Sequence, residues 1–357
     1  MFQNYITSSD GKFFDGKSEF RFIGCNMYEL ANVDSVTSEK MLTSARQQGF
    51  DVIRFWAFGN VNSNKLSALC DIAERLDLRL IPVLSDSWGY LQKEKIDDSW
   101  YSEGFRNSYL PKISEKTSYL SDRKEILFWE LMNEPAVSDI QNLIYFVKTV
   151  TAEIRKLNQN HLISIGTIGG VGDKFGNEFS RFNSSLFEIL YSLPELNAVS
   201  IHDYSFNSTI AERFDIYQRF KGNEANSKIL GSLDKLLNTI PSAFDKFTLK
   251  YFKETYDLPL TLRSVWQSYI IKNLRSAKKL NKPVYIGEIG FKKNMGGYRK
   301  IIIEREFKKY IKSGVSGILL WSFESEGRSK DGHDYGFDES DDLKETINAV
   351  KIYMDQF

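Results

Sequence analysis

Cysteine is nearly absent. Cys25 and Cys70 are the only two in 357 residues, too few for a disulfide framework, and they leave the cellular compartment undecided. Neither sign of charge is in excess. Lysine plus arginine number 47 and aspartate plus glutamate 47, so there is no electrostatic case for nucleic acid or an anionic membrane surface. A neutral or mildly polar ligand fits such a chain better. Residues 1–20 contain no continuous apolar core, and no later run approaches the roughly 20 apolar residues of a membrane-spanning helix. The expectation is a soluble monomer, extracellular if a signal peptide was removed before Met1 and cytoplasmic otherwise.

Signals for metals and cofactors are equally thin. The three histidines, His161, His202 and His333, include no close pair of the kind zinc sites use. Gly169, Gly170 and Gly172 make a Gly-rich turn, but no lysine and hydroxyl pair follows it in phosphate-loop spacing. Asp331, Asp334, Asp338, Glu339, Asp341 and Asp342 do not alternate as calcium ligands do. They read as a solvated rim. No metal and no cofactor is expected, and no internal repeat is present.

What is present is aromatic surface and a strand-helix rhythm. Phe, Trp and Tyr make up 14%, with 6 Trp and 18 Tyr; flat amphipathic rings of this kind either fill a core or stack on the apolar faces of sugars. Eight apolar strand candidates follow one another, beginning near Phe20, Asp51, Leu78, Glu125, Leu162, Ala198, Pro283 and Gly317, most of them separated by helical patterns. That alternation predicts an α/β fold, a closed (β/α)8 TIM barrel forming one domain over 1–357. Ahead of it, Asp10-Gly11 and Asp15-Gly16 flank Phe13 and Phe14 as an N-terminal hairpin, expected to plug the barrel floor. After the sixth strand, residues 207–258 are rich in Lys, Asn and Phe and read as an insertion on the active face.

Chemistry gathers at the strand tips, where barrels of this kind place reacting groups. The run Glu125 to Pro135 is a buried strand that ends in Asn133-Glu134 and is stopped by proline. Pro283 to Gly290 delivers one acid, Glu288, among glycines. Two carboxylates from two strand tips point to glycosidic bond cleavage; the alternative is a structural ion pair of either acid with Arg54. Glu130 shares the parity of Glu134 but sits deeper, and reads as buried and paired.

In this order the residues resemble the retaining glycoside hydrolases of family 5, most closely the endo-β-mannanase branch. Trp129-Glu130-Leu131-Met132-Asn133-Glu134-Pro135 carries the likeness, with Arg54 after the second strand, His202-x-Tyr204 after the sixth, Glu288-Ile289-Gly290 after the seventh and Trp321 after the eighth. The resemblance implies a retaining β-glycoside hydrolase acting on β-1,4-mannosidic bonds of polysaccharides or oligosaccharides. Glu288 would be the nucleophile and Glu134 the acid and base. Arg54 and Tyr204 would favour ionised Glu288, and the nearby negative charge would keep the proton on Glu134. Asn133 would hold the sugar 2-hydroxyl, His202 would complete the polar net, Trp321 would floor the cleavage site, and Trp56 and Trp88 are candidate walls of flanking subsites. Two tips depart from the mannanase pattern. Asp86-Ser87-Trp88 stands where Asn-Asn-Trp is usual, and Thr167-Ile168-Gly169-Gly170 replaces an acidic turn. A β-glucanase, an exo-β-mannosidase, a transglycosylase and a non-catalytic carbohydrate-binding barrel are therefore the alternatives.

Overall fold

The computed structural model describes residues 2–88, 94–169, 184–204, 268–291, 293, 298–324 and 334–357. The chain opens with three short antiparallel strands, β1 (Ile6–Ser9), β2 (Lys12–Asp15) and β3 (Ser18–Phe20), turning at Asp10-Gly11 and Gly16. Phe13, on β2, is fully buried against Phe22, Val52, Ile81, Phe128 and Leu319, apolar residues of the barrel strands. The expected hairpin thus gains a third strand and does close the floor.

Eight parallel strands follow: β4 (Phe22–Asn26), β5 (Val52–Trp56), β6 (Arg79–Val83), β7 (Phe128–Asn133), β8 (Leu162–Gly166), β9 (Val199–Asp203), β10 (Val284–Gly290) and β11 (Gly317–Trp321). Each pairs with its sequence neighbour except β8 with β9, and β11 returns to β4. At the remaining seam, between β8 and β9, Asn197 donates its backbone N–H to Ile163 O at 2.8 Å and His202 to Thr167 O at 3.1 Å. The sheet is a (β/α)8 barrel.

Helices α1 (Ser35–Gln47), α2 (Ser63–Arg75), α3 (Leu110–Tyr119), α4 (Ile140–Leu157), α5 (Ser184–Tyr191), α6 (Ser268–Lys279), α7 (Tyr298–Lys312) and α8 (Lys344–Met354) cover the outside. Asp34 and Asn62 cap α1 and α2 by accepting from Thr37 N and Lys65 N. Such a cap contributes about 1 kcal/mol. Helix α4 is capped by Asp139, whose side chain accepts from Gln141 N. Helix α5 was not anticipated from the sequence.

Strand parity sorts the side chains. On β5, Ile53 and Phe55 pack outward into the main apolar core, while Val52, Arg54 and Trp56 alternate with them. Val52 lies in the apolar floor, and Arg54 and Trp56 climb toward the C-terminal rim. The insertion expected over 207–258, residues 170–172 and His333 lie outside the described residues. Among the described residues no helix is long and apolar enough to cross a membrane.

Candidate active site

The rim of the barrel is built around one buried cation. Arg54, fully buried on β5, directs Nε at both Glu130 oxygens at 3.1 and 3.2 Å and Nη2 at Glu130 Oε1 at 2.5 Å and Asn133 Oδ1 at 2.7 Å. Its Nη1 spans Asn26 Oδ1 and Glu288 Oε1, both at 2.8 Å. These contacts use the five N–H groups a guanidinium carries. Burial opposes the charge, but Glu130 and Glu288 outweigh it and raise the pKa of Arg54 above its ordinary value. Glu130 also accepts from Tyr285 Oη at 2.8 Å, so it is the paired, buried acid that its depth on β7 implied.

Glu134 and Glu288 come together from opposite sides of the barrel. One oxygen from each, with a nitrogen of His202, lies within 4.8 Å of the others. Glu288 accepts from Tyr204 Oη at 2.6 Å on the oxygen that Arg54 does not hold. Glu134 Oε1 meets His202 Nδ1 at 2.7 Å, and its Oε2 accepts from Trp88 Nε1 at 2.6 Å. Both strands that carry these acids are irregular at this level. The register of β7 shifts between Glu130 and Asn133, and that of β10 between Ile286 and Glu288. Such bulges re-aim side chains. Glu134 itself adopts φ +44, a left-handed conformation unusual for a residue with a side chain.

Burial governs the electrostatics. It pushes Glu288 up to about 6, against the lowering influence of His202, Arg54 and Tyr204, and Glu134 adds to the rise. The sequence suggested only the lowering contacts, because it shows neighbours more readily than desolvation. Burial also takes His202 down to about 4, so the imidazole is neutral at neutral pH. A neutral ring serves Glu134 in either state, accepting from the acid or donating to the carboxylate according to its tautomer.

Around this pair the aromatic residues divide. Trp321 is stacked with Tyr28 at 5.8 Å between ring centroids and borders Trp56 at 5.7 Å, with Tyr335 in the same cluster. Trp56 does not suit the wall of an outer subsite. Its ring is 2% exposed, lies 4.8 Å from the Arg54 guanidinium, and donates from Nε1 to Asp86 Oδ2 at 3.0 Å. Trp88 is 39% exposed and faces the cleft, in addition to its hydrogen bond to Glu134.

Three contributors have no role assigned to them by the sequence. Asn26 holds Arg54 and donates to Gly287 O at 3.0 Å. Tyr335 packs on Tyr204 at 5.4 Å. Asp86 accepts from Trp56, from the Trp88 backbone at 2.9 Å and from Asn133 Nδ2 at 3.4 Å, and burial lifts it to about 6. Its place at the tip of a barrel strand was the available signal.

Glu134, His202 and Glu288 are spaced closely enough to ligate a metal ion. The Arg54 cation, 2.8 Å from Glu288, opposes a second positive charge there.

The site is thus a pair of facing carboxylates on the tips of the fourth and seventh strands of a parallel barrel. The family model of Cellulase (glycosyl hydrolase family 5) matches residues 15–327, and the chain belongs to that family. Among similar proteins, a probable mannan endo-1,4-beta-mannosidase C of Aspergillus terreus is 21% identical, covering 57% of this chain and 64% of that one. Mannan endo-1,4-beta-mannosidase 1 of Oryza sativa subsp. japonica is 22% identical, covering 51% and 54%. The chain thus spans somewhat over half the length of these relatives. Among solved structures, the endo-1,4-beta-mannanase from Rhizomucor miehei aligns with TM-score 0.69 and 16% identity over 99% of this chain and 100% of that one. The endo-beta-1,4-mannanase from Thermotoga petrophila gives TM-score 0.62 and 18% identity over 95% and 78%. These likenesses share the barrel.

Proposed function

We propose that the protein is a retaining β-glycoside hydrolase that cleaves β-1,4-mannosidic bonds in mannan-type polysaccharides or oligosaccharides. The observation that carries the reading is the approach of Glu134 and Glu288 to within 4.8 Å. Retaining enzymes keep their carboxyl groups about 5–5.5 Å apart, whereas inverting ones leave room for a water between them. In the first step a Glu288 oxygen bonds to the anomeric carbon as the glycosidic bond breaks, and Glu134 gives its proton to the departing oxygen. In the second, water attacks the anomeric carbon, Glu134 takes the proton, and the ester to Glu288 breaks.

The surrounding contacts suit these roles. Arg54 and Tyr204 fix both oxygens of Glu288, and Arg54 ties down Asn133 Oδ1 while Asp86 takes one N–H of Nδ2, which leaves the other N–H to address the sugar 2-hydroxyl. The names of the similar proteins favour mannan. The Asp86-Ser87-Trp88 tip, unlike the usual mannanase sequence, favours a second reading as a β-1,4-glucanase of the same family.

Product analysis after incubation with mannan, glucomannan, cellulose and mannobiose, beside Glu288→Ala, tests the proposal. Mixed mannooligosaccharides from wild type alone support it. Mannose alone would indicate exo action. Cellooligosaccharides would replace the substrate and keep the mechanism, and no variant-sensitive product at all would overturn both readings.

A further inference from the structure

The tip of β6 is zipped onto the tip of β7. Asn133 donates its backbone N–H to Ser85 O at 2.8 Å, Ser87 donates its own to Asn133 O at 3.2 Å, and Ser87 Oγ donates to Glu134 O. None of these bonds uses the Asp86 side chain, so the course of the tip does not depend on it. That side chain is fully buried and turned to another task. Its Oδ2 accepts from Trp56 Nε1 at 3.0 Å, while Oδ1 accepts from Trp88 N at 2.9 Å and from Asn133 Nδ2 at 3.4 Å. Donors from three successive strand tips thus converge on one carboxylate. With a pKa of about 6 it is mostly ionised at neutral pH, and an ionised carboxylate can only accept.

Asn133 depends most on this arrangement. A primary amide has a carbonyl end and an NH2 end of nearly the same shape, and its partners decide which end lies where. Here the partners carry opposite charges. Arg54 Nη2 donates to Asn133 Oδ1 at 2.7 Å, and Asp86 takes one N–H of Nδ2. Turning the amide over would set its NH2 group against the guanidinium and its carbonyl against the carboxylate. Arg54 fixes the oxygen end, and Asp86 fixes the tilt of the nitrogen end.

We propose that Asp86 is a positioning residue of the reaction, setting through Asn133 the direction of the N–H that meets the sugar 2-hydroxyl. This role rests on the hydrolytic reading, in which that hydrogen bond strengthens in the transition state. Asp86 itself touches no substrate.

The test compares kcat/KM on two activated substrates, dinitrophenyl β-mannobioside and its analogue lacking the 2-hydroxyl on the sugar next to the aryl group. The corresponding cellobiosides serve in the same way if wild type prefers glucan. Asp86→Leu removes the acceptor at similar size. It should lose about tenfold or more on the intact bioside and no more than about twofold on the deoxy analogue, and Asn133→Ala should show the same pattern. Asp86→Asn keeps one oxygen for Trp88 and Asn133 at the expense of Trp56, and should recover most of the loss. A side chain that merely holds the fold would lower both substrates alike. Equal losses on the two substrates, or none on either, with Asn133→Ala still discriminating, would overturn the role of Asp86 and leave the hydrolytic reading in place. Absence of the pattern from Asn133→Ala as well would remove the 2-hydroxyl contact on which the role rests. Turnover of no bioside by wild type would overturn the hydrolytic reading together with it. Should Asp86→Leu not fold, Asp86→Ala carries the same comparison.

Discussion

Arg54 binds Glu130 and Glu288 through different edges of one guanidinium, at 2.5 and 2.8 Å. The deeper acid anchors the cation and the outer acid receives it, so Glu130 positions Glu288 without facing the cleft. Replacing Glu130 by Gln leaves Arg54 buried against a single carboxylate. Breaking a buried pair in this way costs about 3–5 kcal/mol. Denaturant unfolding at neutral pH should show a loss of that order; a change below about 1 kcal/mol would mean that the network relaxes around the amide.

The pair Glu134 and Glu288 should separate by leaving group. Without Glu288 no glycosyl-enzyme forms, so Glu288→Ala is expected to lose turnover of every glycoside. Without Glu134 only proton donation and water activation are lost, and a good leaving group needs no proton. Glu134→Ala should therefore retain far more of the first step on an activated aryl glycoside than on polysaccharide, seen as a burst of released phenol. Equal and mild losses in both variants would sink the assigned roles.

The acidic limb of the pH profile belongs to Glu288. Its carboxylate is the reactive form, and burial holds its pKa up to about 6. Activity as kcat/KM should fall tenfold per unit as pH drops below about 6. Tyr204 lowers that pKa through its hydrogen bond. Tyr204→Phe should move the limb to higher pH, and a limb that stays in place would assign it to another group.

Gly287 sits inside the β10 bulge. A Cβ there would stand 2.6 Å from Ser200 Oγ and 2.7 Å from His202 Nε2, closer than real contacts allow. Both groups belong to the inner wall and His202 holds Glu134. Gly287→Ala should cost about 1–3 kcal/mol in stability and about 100-fold in kcat, since a displacement of about 1 Å suffices for that. Near-normal kcat in a folded variant would show that His202 is not needed where it stands.

The barrel and its two acids could be read in the sequence because each rests on local pattern. Apolar runs of strand length ending in Asn133-Glu134 and Glu288 announce both the element and its tip, and Glu130 declares its depth by parity. Arg54 was found in the same way. What stayed hidden depends on distance across the barrel. Nothing near Trp56 in the chain shows that Asp86 takes its N–H, so a buried support looked like a cleft wall. Desolvation of Glu288 is a property of the whole rim, whereas its lowering contacts are individual residues. Helix α5 follows a stretch without clear pattern and was passed over, although its residues Phe187, Leu190 and Tyr191 are fully buried.

Trp88 combines two jobs that substitution can part. Its ring is 39% exposed at the cleft, and its N–H reaches Glu134 Oε2 at 2.6 Å. Phenylalanine keeps most of the flat surface and removes the donor; alanine removes both. A hydrogen bond to a charged carboxylate contributes about 1.5–3 kcal/mol, and one that positions the acid and base acts on the chemical steps. Trp88→Phe should therefore lower kcat about tenfold or more and leave KM within about twofold, while Trp88→Ala should raise KM as well. Should Trp88→Phe instead raise KM alone, the indole would be a sugar platform whose contact with Glu134 has no part in turnover.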